Sequence, residues 1–372
     1  MHKKKVVIIG NSLSPHVLNR LTTLSEAKNL SFLLFDTNLQ SDIDVPIARI
    51  NNTIPQFLDI PKIGNFLKLF RSIFSLVISK PDIIFIMYCS KLSLLYSLFF
   101  NGKVILSFWG GDLLNRTNKK KGFLLRNIQK WAIIKSHKVF CVSKELIEEV
   151  YRVTDNQLLK PPCLLMYGLD LKLYTFSNNE MSKKNEYFTI YSPRWCLPLY
   201  NIEVIIDAVI LLLQSGKKVR LIYRDIYIDE SVEAYQYSIK LATKIKESGF
   251  ENNFKTVRKV EKNELINLIQ CSDVVISVSH FDGTPLSILE AMACKTLTLS
   301  GKIPSTTNFI EDGINGYLVD KDNPIEIAQQ LNFILTNKDR QIHIIENARL
   351  FVETHANIDL EVAEYVRVIN EI

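Results

Sequence analysis

Residues 281–294 read Phe-Asp-Gly-Thr-Pro-Leu-Ser-Ile-Leu-Glu-Ala-Met-Ala-Cys, and this stretch decides the predicted fold. It follows the apolar run 273–279, which is typical of a buried strand, and it continues into an apolar helix. Asp282 lies in the predicted loop, and Glu290 lies about two helical turns inside the helix. The first N–H groups of a helix have no partner within it and are partly positive, so such a turn can hold phosphate groups. On this segment alone, a plain strand–turn–helix with solvated or capping acids is an equal alternative.

Short Val- and Ile-rich runs alternate with helix-period segments along the chain, which predicts parallel sheets built from βαβ units. The polar, aperiodic stretch 175–186 predicts a linker between an N-terminal domain, 1–174, and a C-terminal domain, 187–355. The expected strands are 5–10, 31–36, 82–87, 103–108, 138–142, 187–192, 218–223, 253–257, 273–278, 295–299 and 316–319. The expected helices are 15–27, 61–79, 201–215, 231–248, 262–271, 285–294, 324–336 and 358–372.

Composition narrows the class of protein. The 372 residues are 47% hydrophobic and 23% charged, which is enough for two cores. A net charge of +6 fits an anionic ligand, an anionic membrane surface or nucleic acid, and does not choose among them. The six cysteines show no Cys-x-x-Cys pair and no metal-ligand spacing, so we expect reduced core residues of a cytosolic protein.

The N-terminal apolar run is too short for a signal peptide, and we interpret it as a first buried strand. The apolar stretch 83–100 is interrupted by Lys91 and several serines, which favours a strand and a helix over a membrane span. After the first strand the chain reads Gly10-Asn11-Ser12 instead of Gly-x-Gly-x-x-Gly, which argues against a dinucleotide-binding domain.

Four segments in order resemble the motifs of retaining GT-B glycosyltransferases, family 4 in particular. Residues 281–294 are similar to the Glu-x7-Glu motif, with Asp282 at its first position, and 310–319 are similar to Glu-Asp-Gly-x-Asn-Gly-x-Leu-Val. Residues 167–170, Tyr-Gly-Leu-Asp, resemble the Asn-Gly-Val-Asp motif, and 136–143 resemble a strand ending in Val-Ser. The resemblance implies an α/β GT-B fold, in which two Rossmann-like domains face each other across a cleft. It also implies that the C-terminal helix, 356–372, packs back on the N-terminal domain.

The same resemblance implies roles in binding a nucleoside-diphosphate sugar. Arg194 would grip the diphosphate, because a guanidinium is permanently charged and forks onto phosphate. Glu290 would bond the ribose hydroxyls, and Asp282 would contact sugar hydroxyls or stabilise charge near the anomeric carbon. The family's Lys, five residues after the Arg, is Leu199 here. Either another cation substitutes, or the leaving group is stabilised differently. The candidate cations are Arg224, Arg258 and Lys259, each of which is equally plausible as a solvated base.

Further donor contacts follow from the resemblance. Val260 occupies the position whose backbone contacts the base in the family. Four consecutive residues would line the phosphate and sugar pocket: Thr284, Pro285, Leu286 and Ser287. Pro285 has no N–H to donate.

In the first half of the chain, residues 107–112 resemble a family segment that usually reads His-Gly-x-Asp. Trp109 replaces the His, and it either stacks on a sugar face or fills core. Asp112 either binds acceptor or sugar, or caps a helix. His16, at the start of the first helix, either binds acceptor or phosphate, or is structural.

The resemblance implies retaining, metal-independent transfer of a hexose-type sugar from a nucleoside-diphosphate sugar to a saccharide or lipid-linked saccharide. The implied setting is bacterial surface polysaccharide assembly, with no cofactor, no metal and no nucleic acid. A GT-B nucleotide-sugar epimerase or phosphorylase is one alternative. An inactive GT-B scaffold is another, favoured by Leu199 and Trp109 and opposed by Glu290 and Arg194.

The lysines 119–121 precede an apolar segment, 122–131. This pattern predicts either peripheral contact of a cytoplasmic protein with an anionic membrane face, or a helix packed in the N-terminal domain.

Overall fold

The computed structural model describes residues 3–36, 47–49, 78–113, 119–158, 160–174, 186–225, 232–258 and 260–372, with only the backbone of 91–92 and 119–124. The chain divides into two compact units, Met1–Gly168 with Ile358–Ile372, and Leu169–Asn357. Each unit contains one parallel sheet with helices. This is the predicted α/β class.

The first unit has a seven-stranded parallel sheet in the order β3-β2-β1-β4-β5-β6-β7. Its central strands are buried, as a sheet covered on both faces requires. The strands are β1 (Lys4–Gly10), β2 (Leu30–Asp36), β3 (Ala48–Arg49), β4 (Ile83–Met87), β5 (Lys103–Phe108), β6 (Lys138–Cys141) and β7 (Cys163–Leu164). The helices between them are α1 (Pro15–Ser25), α2 (Lys91–Phe99), α3 (Lys119–Lys135) and α4 (Lys144–Val153).

The second unit has a six-stranded parallel sheet in the order β10-β9-β8-β11-β12-β13. The side chains of Ile190, Ile276 and Leu299 on this sheet are fully buried. The strands are β8 (Phe188–Ser192), β9 (Val219–Arg224), β10 (Phe254–Val257), β11 (Val274–Ser277), β12 (Leu297–Gly301) and β13 (Tyr317–Val319). The helices are α5 (Ile202–Gln214), α6 (Val232–Ser248), α7 (Lys262–Gln270), α8 (Leu286–Ala293), α9 (Pro304–Thr307), α10 (Pro324–Thr336) and α11 (Gln341–His355).

The last helix, α12 (Ile358–Glu371), belongs to the first unit, and a buried ion pair joins it to α1. The side chains of Arg20 and Glu361 are each 1% exposed, and their closest nitrogen and oxygen are 2.5 Å apart. Glu361 also accepts hydrogen bonds from the Tyr365 hydroxyl at 2.6 Å and from the Gly168 N–H at 2.8 Å. The Arg20 guanidinium lies 3.8 Å from the ring centroid of Tyr167. Both buried charges are therefore held by several partners at once.

The expected strands are all present, with ends that differ from the prediction by no more than two residues. The short strands β3 and β7 were not predicted, because two residues carry no periodicity. The helices α4, α9 and α11 were also missed. The expected helix 61–79 and the expected linker 175–186 fall almost entirely outside the described residues. Of the helices described, none is long and apolar enough to cross a membrane.

The cysteines are free, and four of the six are buried. Cys163 is half-buried, and Cys271 is exposed. The prediction that the cysteines are core residues is therefore wrong for Cys271, which follows the end of α7.

We expect Arg20→Met to lower the free energy of unfolding of the first unit by about 3–5 kcal/mol, because it leaves the Glu361 carboxylate buried without its counter-ion. Arg367→Met is the matched control on α12, since Arg367 pairs with Glu364 and Glu371 at the exposed surface. It should cost less than about 1 kcal/mol. Urea denaturation of both variants measures the difference. Equal costs would contradict the structural role assigned to the buried pair.

Candidate active site

Three charged side chains meet at the carboxyl edge of the second sheet. Arg194 follows β8, Arg224 ends β9, and Asp282 lies in the loop between β11 and α8. Open parallel sheets bind ligands at this edge, because the loops that leave the strands converge there. The edge therefore carries two cations and a carboxylate where a ligand is expected.

Arg194 and Asp282 form an ion pair that is largely shielded from solvent. Arg194 Nη2 lies 2.7 Å from Asp282 Oδ2, and the two side chains are 19% and 12% exposed. The contact lacks hydrogen-bond geometry, and Arg194 Nε and Asp282 Oδ2 are buried without a hydrogen-bond partner. The Arg194 guanidinium also lies 4.2 Å from the ring centroid of Tyr200. Burial raises the pKa of Asp282, although Arg194 and the Gly283 N–H oppose the rise.

Arg224, near this pair, lies over an aromatic ring. Its guanidinium carbon lies 3.5 Å from the ring centroid of Trp195, and its Nε is buried without a hydrogen-bond partner. Burial lowers the pKa of Arg224, while Tyr191 and Glu290 raise it and Arg194 lowers it further. The two arginines are thus close enough to repel each other, and together they offer incompletely bonded N–H groups to an anion.

Glu290 lies inside α8 with its carboxylate buried. Its Oε1 accepts a hydrogen bond of 2.5 Å from the Tyr174 hydroxyl, and the Lys262 ammonium lies 5.0 Å from the centroid of the Tyr174 ring. Burial raises the pKa of Glu290, and the bond from Tyr174 and the charges of Lys262, Arg194 and Arg224 oppose that rise. The carboxylate is therefore fixed in position and surrounded by cations.

The turn before α8 has the form expected of a phosphate-binding turn. Pro285 precedes the first helical residue, Leu286, and makes no side-chain cap. The Ser287 hydroxyl is buried without a hydrogen-bond partner, and Thr284 is half-buried. The N–H groups of this first helical turn are open to a ligand in the way that helix N-termini generally are.

The candidate replacements for the family's Lys differ in their surroundings. Leu199 is 43% exposed and its carbonyl accepts a hydrogen bond of 2.9 Å from the His280 N–H, so it links two loops of the edge. Arg258 is 77% exposed and lies 3.8 Å from Asp225, and Lys259 lies outside the described residues. Among the described candidates, Arg224 alone is held next to Arg194 and Glu290. Val260 lies half-buried in the loop between β10 and α7.

The segment 310–319 contains the loop that leads into β13, and hydrogen bonds within the segment and to Phe309 hold that loop in place. The Asn315 side chain accepts a hydrogen bond from the Glu311 N–H and donates one to the Phe309 carbonyl. Asp312 accepts one from the Leu318 N–H. Asp312 and Asn315, two polar residues of the motif, therefore have a structural role in this loop.

In the first unit, Asp112 ties two strand ends together. Its oxygens accept hydrogen bonds from the N–H groups of Cys89, Trp109 and Gly110, at 2.9, 3.0 and 2.8 Å. Burial raises the pKa of Asp112, and these backbone bonds oppose the rise. Asp112 therefore joins the loops after β4 and β5, and its two predicted roles, in binding and in helix capping, stay predictions because residues 114–118 lie outside the described residues.

Trp109 and His16 pack against the buried ion pair of the first unit. The Trp109 ring lies 4.8 Å from the Arg20 guanidinium and 5.6 Å from the Tyr167 ring, and its Nε1 donates to Ser107 Oγ. The His16 ring meets the edge of the Tyr167 ring at 5.3 Å. Trp109 is half-buried and packs at the side of the core, and His16 takes part in the same packing. The predicted binding roles of both residues stay predictions.

Two contributors to the site, Tyr174 and Lys262, were not predicted. Tyr174 lies 116 positions from Glu290 along the chain, so no local pattern could connect them. Within the described part of the chain, no three His, Cys, Asp or Glu side chains gather in a way that could hold a metal ion.

Glu290→Gln should stabilise the second unit in a pH-dependent way. Burial raises the pKa of Glu290, so the folded state keeps its proton to a higher pH than the unfolded state, where the ordinary value is near 4.5. The free energy of unfolding therefore falls as pH rises through this window, and the substitution removes that loss while Gln still accepts from Tyr174. We expect the variant's gain in melting temperature to grow above about pH 4.5 and then level off, at roughly 2–4 °C per kcal/mol. Glu346→Gln, at an exposed surface pair, should show no such growth. A constant difference across pH would contradict the buried, charged Glu290.

Comparison with known proteins agrees with this architecture. Residues 175–351 match the sequence profile of the family described as Glycosyl transferases group 1. An uncharacterised glycosyltransferase of Methanocaldococcus jannaschii is 21% identical over 250 residues, which are 66% of this chain and 62% of that protein. The chain thus spans less than two thirds of the length of this curated relative.

Solved structures share the fold over the whole chain. Anabaena HepE, crystallised with UDP, has a TM-score of 0.76 at 16% identity, covering 99% of this chain and 100% of that one. HepE was also crystallised with UDP-glucose. Sucrose-phosphate synthase from Thermosynechococcus elongatus has a TM-score of 0.77 at 14% identity, covering 99% of each chain. Over residues 175–351 the chain is therefore similar to the glycosyl transferases group 1 family, and its two units have the GT-B fold of these solved structures.

Proposed function

We propose that this protein is a retaining glycosyltransferase of the family 4 kind. It moves a hexose-type sugar from a nucleoside-diphosphate sugar to a saccharide or lipid-linked saccharide, in the cytoplasm, during assembly of a bacterial surface polysaccharide. The observation that carries the proposal is the group of Arg194, Arg224, Asp282 and Glu290 at one strand edge. Two incompletely bonded guanidinium groups beside two buried carboxylates suit a ligand that has both a diphosphate and hydroxyl-rich sugars.

The two arginines would stabilise the leaving group. Breaking the bond between sugar and phosphate builds negative charge on the departing diphosphate, and positioned cations in a site with little water stabilise that charge. Arg194 and Arg224 provide two such cations, and the turn from Thr284 to Ser287 adds backbone N–H groups. In this account the arginines do the work that a divalent metal does elsewhere, so transfer proceeds in the presence of EDTA.

The carboxylates would orient the sugars. Glu290, fixed by Tyr174, accepts hydrogen bonds from the ribose hydroxyls. Asp282 contacts the hydroxyls of the transferred sugar or the positive charge that develops near its anomeric carbon. Retention arises because the leaving group departs and the acceptor attacks on the same face of the ring. The relative HepE, crystallised with UDP-glucose, supports testing uridine donors first.

Two other functions use the same fold. A GT-B epimerase or phosphorylase would also need the diphosphate site, and an epimerase would release no glycoside. An inactive scaffold would not need to keep donor affinity. Arg224 and Arg194 weigh against the scaffold, because each keeps a buried Nε without a hydrogen-bond partner, which a bound anion would satisfy.

Peripheral contact with an anionic membrane is also part of the proposal. The helix α3 exposes 60% of Trp131, and aromatic rings of this kind favour a membrane interface. Two of its basic residues already have acidic partners, Arg126 with Glu149 and Lys130 with Asp155. The side chains of Lys119–Lys121 lie outside the described residues. Flotation with anionic liposomes tests this contact, and an absence of salt-sensitive binding would rule it out.

Calorimetric titration with UDP-, GDP-, ADP- and TDP-sugars tests the donor site. We expect one nucleotide family to bind, and Arg224→Met to weaken that binding by about 10–100-fold, as does loss of a hydrogen bond to a charged group. Arg194→Ala and Glu290→Ala should each abolish detectable binding. Arg258→Met removes the same charge from an exposed position and is the matched control. If Arg258→Met weakened binding as much as Arg224→Met, the assignment of Arg224 would be wrong. If no donor bound, the scaffold would be favoured.

A further inference from the structure

One exposed aromatic residue at the carboxyl edge of the first sheet has a strained backbone. Tyr88, directly after β4, has a φ of 59°, in the left-handed region. For a bulky side chain this conformation is an outlier, since Gly or Asn adopts it at lower cost. Of the described non-glycine residues with positive φ, Tyr88 is the only aromatic one. Strain of this kind collects at functional sites, where the surrounding structure holds it in place.

The buried carboxylate of Asp112 holds the strained turn. It accepts the N–H of Cys89, the residue after Tyr88, at 2.9 Å, and at the same time the N–H groups of Trp109 and Gly110. The Tyr88 N–H donates to the Ser107 carbonyl at 3.2 Å. The loops after β4 and β5 are therefore joined as one rigid piece, and Tyr88 is presented from it.

The ring of Tyr88 remains available to a ligand. Tyr88 is 50% exposed, whereas Trp109 and Tyr167 at the same edge pack against the buried Arg20. The Tyr88 and Trp109 ring centroids are 6.2 Å apart and tilted by 59°, so Trp109 supports one side of the ring without covering it. The neighbouring Gly111 adds no side chain, and even a Cβ there would begin 4.0 Å from the Tyr88 hydroxyl.

We propose that Tyr88 is the stacking surface for a sugar ring of the acceptor. One face of a pyranose presents C–H groups and suits an aromatic face, and the tyrosine hydroxyl at the edge of that face can bond the sugar's hydroxyls. A platform of this kind needs a fixed ring, which the strained turn and its Asp112 support provide. The inference rests on the proposed function for its acceptor, and it makes Tyr88 a residue that determines acceptor binding.

Saccharide binding without any donor tests this directly. The full chain is mixed with the methyl glycosides of glucose, galactose, mannose and N-acetylglucosamine, and bound sugar is detected by saturation-transfer difference NMR. At least one glycoside should bind the wild type, with transfer strongest at the C–H groups of one face. Tyr88→Ala and Tyr88→Gly should both weaken that binding by about fivefold, and Tyr88→Phe by no more than about twofold. Tyr235→Ala, which removes a tyrosine that is 58% exposed on α6, should change nothing.

The Ala and Gly variants also separate the ring from the strain. Both remove the ring, but only Gly adopts a positive φ without cost, so Tyr88→Gly should melt roughly 2–4 °C above Tyr88→Ala. Equal sugar binding by wild type and both variants would overturn the proposal, and so would a wild type that binds none of the glycosides. Tyr88-dependent binding in a protein that transfers no sugar would leave the platform standing and refute the transferase.

Discussion

A charge taken out of water must find partners, and this constraint shapes both units. In the first unit the buried Glu361 has Arg20, Tyr365 and the Gly168 N–H as partners, and the arrangement is complete. It fixes the last helix to the first one and leaves the pair nothing further to bind. In the second unit the largely shielded Arg194 and Asp282 meet in an ion pair, yet the buried Arg194 Nε stays without a hydrogen-bond partner. The difference between a complete and an incomplete set of partners separates the structural ion pair from the candidate site.

Two positions depart from the family pattern, Leu199 in place of a lysine and Trp109 in place of a histidine. Leu199 brings no charge to the carboxyl edge of the second sheet, and Arg224 lies on the face of Trp195 near Arg194. Trp109 stands where the family has a histidine, and it packs on the Arg20 guanidinium. At the same carboxyl edge of the first sheet, Tyr88 exposes its aromatic ring to solvent. The proposals for donor and acceptor binding therefore rest on Arg224 and Tyr88, which lie at strand ends of the second and the first sheet, respectively.

Much of the fold could be predicted because parallel strands are buried on both faces and carry a strong local signal. The turn from β11 into α8, with Asp282 before it and Glu290 inside it, follows from one short segment for the same reason. The contacts of the site could not be predicted in this way. The ion pair of Arg194 with Asp282 and the bond of Tyr174 to Glu290 join residues far apart in sequence. Likewise, the positive φ of Tyr88 occurs next to the Cys89 N–H that bonds Asp112 after the next strand, and nothing in the sequence around Tyr88 indicates it.

The central claim is that this edge transfers a sugar with retention of configuration and without a metal ion. Proton NMR of a reaction in EDTA, containing the donor that binds and a saccharide acceptor, tests it most directly. The account predicts that a glycoside appears together with free nucleoside diphosphate, and that the anomeric coupling of the product shows the donor's configuration. A product of opposite configuration, or a reaction that starts only when a divalent metal is added, would contradict it.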